Sequence, residues 1–222
     1  KRQGLNLTLF NLGSLEDIHE GIKKVWGSPF TIRSFSWRQP LIDQPLWVLP
    51  SIVILESVPS EKSGVLVTAD IFQGDKEKML ITTSEGVGGA VDGSPAETLL
   101  WSKEGVDLVN SYKSAWRLVL KPDGGSEVIP STGGEVVLQP AELEELIAAA
   151  IKIRESLLPV LDPSGNPRPW DIEFGFANGQ LWLFQTRPFL GNEEVKNTPA
   201  LALLDGPRAE TRRVISLDEV IE

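Results

Sequence analysis

Residues 170–188 constrain the fold more than any other stretch of the chain. They read Trp-Asp-Ile-Glu-Phe-Gly-Phe-Ala, then Asn178-Gly179, then Gln-Leu-Trp-Leu-Phe-Gln-Thr-Arg-Pro. Two runs of aromatic and aliphatic residues, interleaved with polar ones about an Asn-Gly signal, predict a β-hairpin. Side chains alternate along a strand, so Asp171 and Glu173 share a face of the first strand, and Gln185 and Arg187 share a face of the second. Whether the two polar pairs meet depends on the turn. A two-residue Asn178-Gly179 loop would pair Glu173 with Phe184 and set the carboxylates among aromatics. An odd-length loop with Gly179 left-handed would gather Ile172, Phe174, Phe176, Trp182 and Phe184 on one face. Burying a carboxylate without a partner costs roughly several kcal/mol, so the odd loop is expected, with Asp171, Glu173, Gln185 and Arg187 on the opposite face. Two carboxylates, an amide oxygen and a guanidinium on one surface suit a magnesium-nucleotide site: hard oxygens bind Mg2+ while the planar cation bridges phosphate oxygens. The alternative is a solvated hairpin face whose Asp171 or Glu173 pair with Arg187 contributes ~0–1 kcal/mol.

The rest of the chain supplies a core for this hairpin. With 222 residues, 41% of them hydrophobic, it is long enough for one domain and at most two. Every Trp, Phe and Tyr precedes Leu190. The expected organisation is therefore one unit over residues 1–190, followed by a linker and C-terminal tail over 191–222, with a short closing element at 214–220. Ser14 reads as an N-cap, with Glu16 and Asp17 in the first turn and Leu15, Ile18, Ile22, Val25 and Trp26 on one face of a packed helix. A second helix starts at Pro140, carries Leu143, Ile147, Ala150, Ile151, Arg154 and Leu158 as a stripe, and stops at Pro159. Strands are expected over 47–57, 64–71 and 78–83, and over 115–120 and 127–129 about the Pro122-Asp123-Gly124-Gly125 turn. Helices and strands do not alternate, so the expected class is α+β, a largely antiparallel sheet with flanking helices.

Charge and composition exclude several functions. The formal net charge is −10, and such a surface repels nucleic acid. No cysteine is present, which excludes a disulfide framework and thiolate zinc sites and sets the expected location as the cytoplasm. The longest apolar stretch, residues 41–58, is broken by Asp43, Gln44, Pro45, Pro50 and Glu56, so no membrane span is expected. The chain opens on Lys1 without a methionine or a signal peptide and is expected to be part of a longer polypeptide.

Asp171-Ile172-Glu173, Leu181 and Gln185-Thr186-Arg187-Pro188 together resemble the closing motif of the ATP-grasp nucleotide-binding domain of phosphoenolpyruvate synthase, pyruvate phosphate dikinase and their relatives. Upstream, Trp26-Gly27-Ser28 with Phe30, Arg33 and Trp37-Arg38, then residues 58–65 and the glycine-rich 86–93, resemble family segments in the same order. The resemblance runs from about Leu5 to Phe189. It implies a C-terminal part of an ATP-grasp domain in which Glu173 and Gln185 hold Mg2+ on the ATP phosphates, Arg187 contacts those phosphates in catalysis, and Asp171 supports the site. It also implies phosphoryl transfer from ATP toward a histidine on another domain. The partners would be the missing N-terminal half of the ATP-grasp domain and that phosphohistidine domain, in the same chain or in trans; this chain alone would be inactive. Leu55 and Gly89 stand where the family commonly has Gln and Glu. They motivate a second reading, a nucleotide-sensing or protein-interaction module that keeps the fold without the chemistry.

Other motifs carry bland readings beside their functional ones. Gly86, Gly88 and Gly89 would let backbone amides approach phosphate, or simply form a turn. Arg33 and Arg38, alternating with Phe35 and Trp37, would face phosphates or lie on the wet side of a strand. His19, inside the first helix, reads as a surface or packing residue.

Overall fold

The computed structural model describes residues 7–39, 42–44, 46–88, 95–134 and 136–191. Gly89 and the glycine-rich residues up to Gly93, and the tail from 192 with its expected element at 214–220, lie outside them. By compactness the chain divides into Lys1–Phe189 and Leu190–Glu222, and the architecture that follows is that of the first unit.

Helices α1 (Leu15–Gly27) and α2 (Ile32–Arg38) open the unit, joined by a 3-10 turn at Ser28–Phe30. Six strands form the main sheet: β1 (Lys62–Val67), β2 (Met79–Glu85), β3 (Glu97–Ser102), β4 (Gly105–Asn110), β7 (Trp170–Ala177) and β8 (Gln180–Pro188), in the order β4-β3-β2-β1-β7-β8. Each neighbouring pair is antiparallel. Strands β5 (Trp116–Leu120) and β6 (Ser126–Pro130) make a separate hairpin. Helix α3 (Pro140–Ser156) sits between them and β7 in sequence. The class is the expected one, α+β with a mostly antiparallel sheet.

Alternation decides which face of the sheet becomes the core. Leu66, Met79, Ile81, Leu99, Ile172, Phe174 and Phe176 project to one side and join Leu146, Ile147 and Ala150 of α3 in a single buried cluster. Burial of each such side chain contributes ~1.5–3 kcal/mol. Two charged fasteners fix the helix on the sheet. Glu97, 1% exposed, accepts the amides of Val137 and Leu138 at 3.0 and 3.1 Å, and Lys62 Nζ lies 2.6 Å from Glu142 Oε2 in the first turn of α3. The face opposite α3 is left for Ser63, Val65, Val67, Asp171, Glu173 and Gly175, as the alternation and the β1–β7 register require.

Several expectations are corrected. Residues 47–57 form no strand. Their apolar side chains stand in solvent, Trp47 at 83% and Leu49 at 96% exposure, because no strand among the described residues pairs with them. Strand β1 ends at Val67 rather than running to 71, since the Asp70 carboxylate accepts the amides of Phe72 and Gln73 and turns the chain. Arg33 and Arg38 lie on α2, capped by Thr31, and not on a strand. Helix α1 has its Ser14 cap but buries only Gly21; Leu15 is 75% and Trp26 54% exposed. No helix among the described residues is long and apolar enough to cross a membrane.

Candidate functional site

The β7–β8 hairpin closes on a two-residue loop, Asn178-Gly179, with both residues left-handed (φ 53° and 71°) and Ala177 opposite Gln180. The odd-length loop expected from the sequence is therefore wrong. The register is restored farther down by a β-bulge: Phe174 faces Leu183 while Glu173 faces Gln185, leaving Phe184 as the extra residue of β8. Beyond it, Asp171 stands directly opposite Arg187, so the polar row forms as expected by a different device. The bulge also overturns the expected grouping of the aromatics. Trp182 faces Gly175, and a methyl group built on Gly175 would come within 2.8 Å of the Phe184 ring. Both rings thus lie on the carboxylate face, 38% and 41% exposed, while Ile172, Phe174 and Phe176 are fully buried on the other.

The four polar groups converge. Arg187 Nε donates to Asp171 Oδ2 at 2.9 Å, Arg187 Nη2 lies 3.4 Å from Glu173 Oε1, and Gln185 Nε2 is 3.5 Å from the same oxygen. Burial pushes the Glu173 carboxyl above its usual range; Arg187 pulls it down, and Asp171 pushes it up again. Asp171 is 9% exposed, and its Oδ1 is buried without a hydrogen-bond partner. A buried carboxylate oxygen left unpaired is costly and marks a place where a ligand or ion would be accommodated. The β1 residues Val65 and Val67 form the floor beside Glu173 and Asp171, a role that the plain alternation of Lys62–Val67 already contains.

The donor set fits Mg2+. Among the described residues no three of His, Cys, Asp and Glu gather as a metal cage. What remains is two carboxylates and an amide, the sparse protein share used when substrate phosphates and water complete an octahedral shell.

The described part of the glycine-rich stretch, residues 86–88, spends its amides inside the protein. The Gly86 amide donates to Glu61 O (2.7 Å), that of Val87 to Leu118 O (2.9 Å) and that of Gly88 to Ser63 Oγ (3.0 Å). Ser63 Oγ in turn donates to Gly86 O at 2.7 Å. These three amides are committed inside the protein, and a side chain on Gly86 would strike Leu118 O at 2.1 Å. Sequence reading did not single out Ser63 as the organiser of this turn, since a lone Ser-Gly pair reads as punctuation. His19 is exposed on α1.

One face of the antiparallel sheet thus brings a cation and two carboxylates together beside its edge strand. Residues 3–203 match the family model described as "Pyruvate phosphate dikinase, AMP/ATP-binding domain". The chain belongs to that family. It is 29% identical over 192 residues to a probable phosphoenolpyruvate synthase of Archaeoglobus fulgidus, covering 83% of this chain and 24% of the relative. It is 27% identical over 204 residues to the phosphoenolpyruvate synthase of Pyrococcus furiosus, covering 83% and 23%. A probable phosphoenolpyruvate synthase of Methanothermobacter thermautotrophicus is 26% identical over 187 residues, covering 82% and 26%. The chain spans about a quarter of the length of these relatives.

Proposed function

We propose that this chain is the metal- and phosphate-facing part of an ATP-grasp-like domain in a phosphotransferase similar to phosphoenolpyruvate synthase and pyruvate phosphate dikinase. Glu173 and Gln185 hold Mg2+ on the ATP phosphates, with the Gln185 amide turned to offer its oxygen. Arg187 contacts the phosphates, and Asp171 keeps the guanidinium oriented. Bound Mg2+ neutralises phosphate charge; the protein's own share is placement of that charge, which is most of what phosphoryl transfer asks of it. The phosphoryl group passes toward a histidine on another domain. The rest of the ATP-grasp domain and the phosphohistidine domain lie in the same polypeptide or in a partner.

The observation that carries this reading is the direct pairing of Asp171 with Arg187 and of Glu173 with Gln185 on one face of the sheet, beside a buried carboxylate oxygen with no partner. The test is calorimetric binding of Mg-ATP to the longest natural polypeptide that contains this chain. Glu173→Ala and Arg187→Ala are each expected to weaken binding at least about tenfold, the scale of one lost charge-assisted contact. If both bind as tightly as the parent, the roles are wrong. The second reading, a module that keeps the fold without the chemistry, is favoured by the committed amides of residues 86–88 and by Leu55, which is 74% exposed. As a nucleotide-sensing or protein-interaction module it predicts no phosphoryl transfer from ATP by the parent polypeptide.

A further inference from the structure

We propose that Thr68 is a positioning residue for the Asp171–Arg187 pair: its buried hydroxyl closes the last rung between β1 and β7 and so fixes the backbone from which Asp171 projects. This rests on the nucleotide reading of Asp171, Glu173, Gln185 and Arg187 and adds to it a residue that never meets the ligand.

Strand β1 ends at Val67, which stands opposite Asp171. The chain then turns away, with the Asp70 amide donating to Asp75 O at 2.8 Å and the Asp70 carboxylate accepting the amides of Phe72 and Gln73. One further rung is nevertheless made. The Thr68 amide donates to Trp170 O at 2.9 Å, and the Trp170 amide donates to the Thr68 hydroxyl, Oγ1, at 2.8 Å. In a regular antiparallel rung the two residues would exchange amide-to-carbonyl bonds in both directions. Here a side chain takes the carbonyl's part, which lets the main chain leave for the Asp70 turn without stranding a buried amide.

The place of this rung gives it its consequence. Thr68 is 3% and Trp170 8% exposed, and Trp170 belongs to the buried cluster that α3 shares with the sheet. Alternation puts both side chains on the α3 face, so Thr68 cannot touch a ligand held by Asp171 and Glu173 on the other. What it holds is the residue directly before Asp171. The Asp171 carboxylate in turn accepts Arg187 Nε at 2.9 Å, and Arg187 Nη2 lies 3.4 Å from Glu173 Oε1. The bond from the Phe189 amide to Pro169 O, 2.7 Å, lies within the hairpin itself, whereas the Thr68 rung joins this end of the hairpin to the rest of the sheet. Charge-assisted bonds depend on placement, so a loosening at Trp170 reaches the guanidinium through the Asp171 carboxylate.

The test is calorimetric Mg-ATP binding to the longest natural polypeptide that contains this chain, with urea unfolding of each variant to confine the comparison to folded protein. Thr68→Val keeps the shape and removes the acceptor; Thr68→Ser keeps the hydroxyl. The expected result is a loss of at least about fivefold in Mg-ATP affinity for Thr68→Val and a value within about twofold of the parent for Thr68→Ser. Because the effect runs through Arg187, Thr68→Val is expected to cost less than about twofold when added to Arg187→Ala. By linkage, Mg-ATP is also expected to slow hydrogen exchange at the Trp170 amide of the parent at least about fivefold. A folded Thr68→Val protein with parental affinity overturns the proposal, as does an undiminished loss in the Arg187→Ala background, which would mark Thr68 as a general support of the fold. Unchanged exchange at Trp170 overturns it too, and needs no variant to fold. A parent that binds no Mg-ATP overturns the nucleotide reading and the proposal with it, a result distinct from a parent that binds while Thr68→Val binds equally.

Discussion

Glu173 answers to two opposing fields. Desolvation beneath the neighbouring side chains disfavours its charge, and Asp171 adds repulsion, while the Arg187 guanidinium 3.4 Å away favours the charge; the balance lies on the raised side. A raised carboxyl pKa means that the folded protein holds this proton more tightly than the unfolded chain does. The stability it contributes is complete below the ordinary glutamate value and is lost as pH rises through the folded value. Folding therefore works against the charged form of this side chain. On acidification, Mg-ATP affinity is expected to fall in a window above the ordinary glutamate range, with one proton taken up per site vacated. In Glu173→Gln, that step in the calorimetric pH profile is expected to vanish, with affinity low throughout. A Glu173→Gln protein that retains the same pH step would place the titration elsewhere. The Asp171–Arg187 pair was legible in the sequence as two polar positions on alternating strands. The positions of Trp182 and Phe184 were not, because Trp-Leu-Phe is apolar at every position and carries no sign of which residue is extra.

The elements differ in how openly the sequence declares them, and the reasons are physical. Helix α1 announces itself by its Ser14 cap and periodicity and α3 by Pro140 and its apolar stripe, whereas the Gln139–Glu142 capping box of α3 is seen only in the structure. Strands β7 and β8 announce themselves by alternation about Asn-Gly. Strands β3 and β4 were missed: their turn is Lys103-Glu104, which carries no glycine or asparagine signal, the register shifts between Thr98 and Leu99, and every residue of β4 is exposed. Residues 47–57 were misread because a continuous apolar run resembles a buried strand, whereas strand formation needs a partner ladder that the sequence of the run does not specify. Strand β1 lies between β2 and β7, and Gly64 at its middle permits their closeness. A methyl group there would stand 2.3 Å from Thr82 O, a backbone atom, and 2.8 Å from the Phe174 ring. Gly64→Ala is expected to destabilise the unit by about 1–3 kcal/mol, read as a lower urea midpoint, because neither a strand backbone nor a fully buried ring yields cheaply. An unchanged midpoint would show the sheet to be looser at its centre than its register implies.

At the scale of the molecule, a net charge of −10 opposes the approach of any polyanion, so under the proposed function affinity for a nucleotide would have to come from the local cation at Arg187 and from bound metal rather than from the overall field. That places the functional weight on one edge of the sheet, and the edge is the last part of the unit to be made. Strand β8 ends at Pro188, and Phe189 then donates its amide to Pro169 O at 2.7 Å, tying the end of the strand to the residue before β7 begins. All the described strands and helices, and every aromatic residue of the chain, precede Leu190. The aromatic share of the core is therefore encoded before that position. A chain ending at Leu190 is expected to unfold in urea with the midpoint and slope of the 222-residue chain. The slope is the sharper readout, because it scales with the surface exposed on unfolding. A shallower transition in the shortened chain would mean that residues after 190 bury surface as part of the same cooperative unit, and the domain would then have to be drawn to include them.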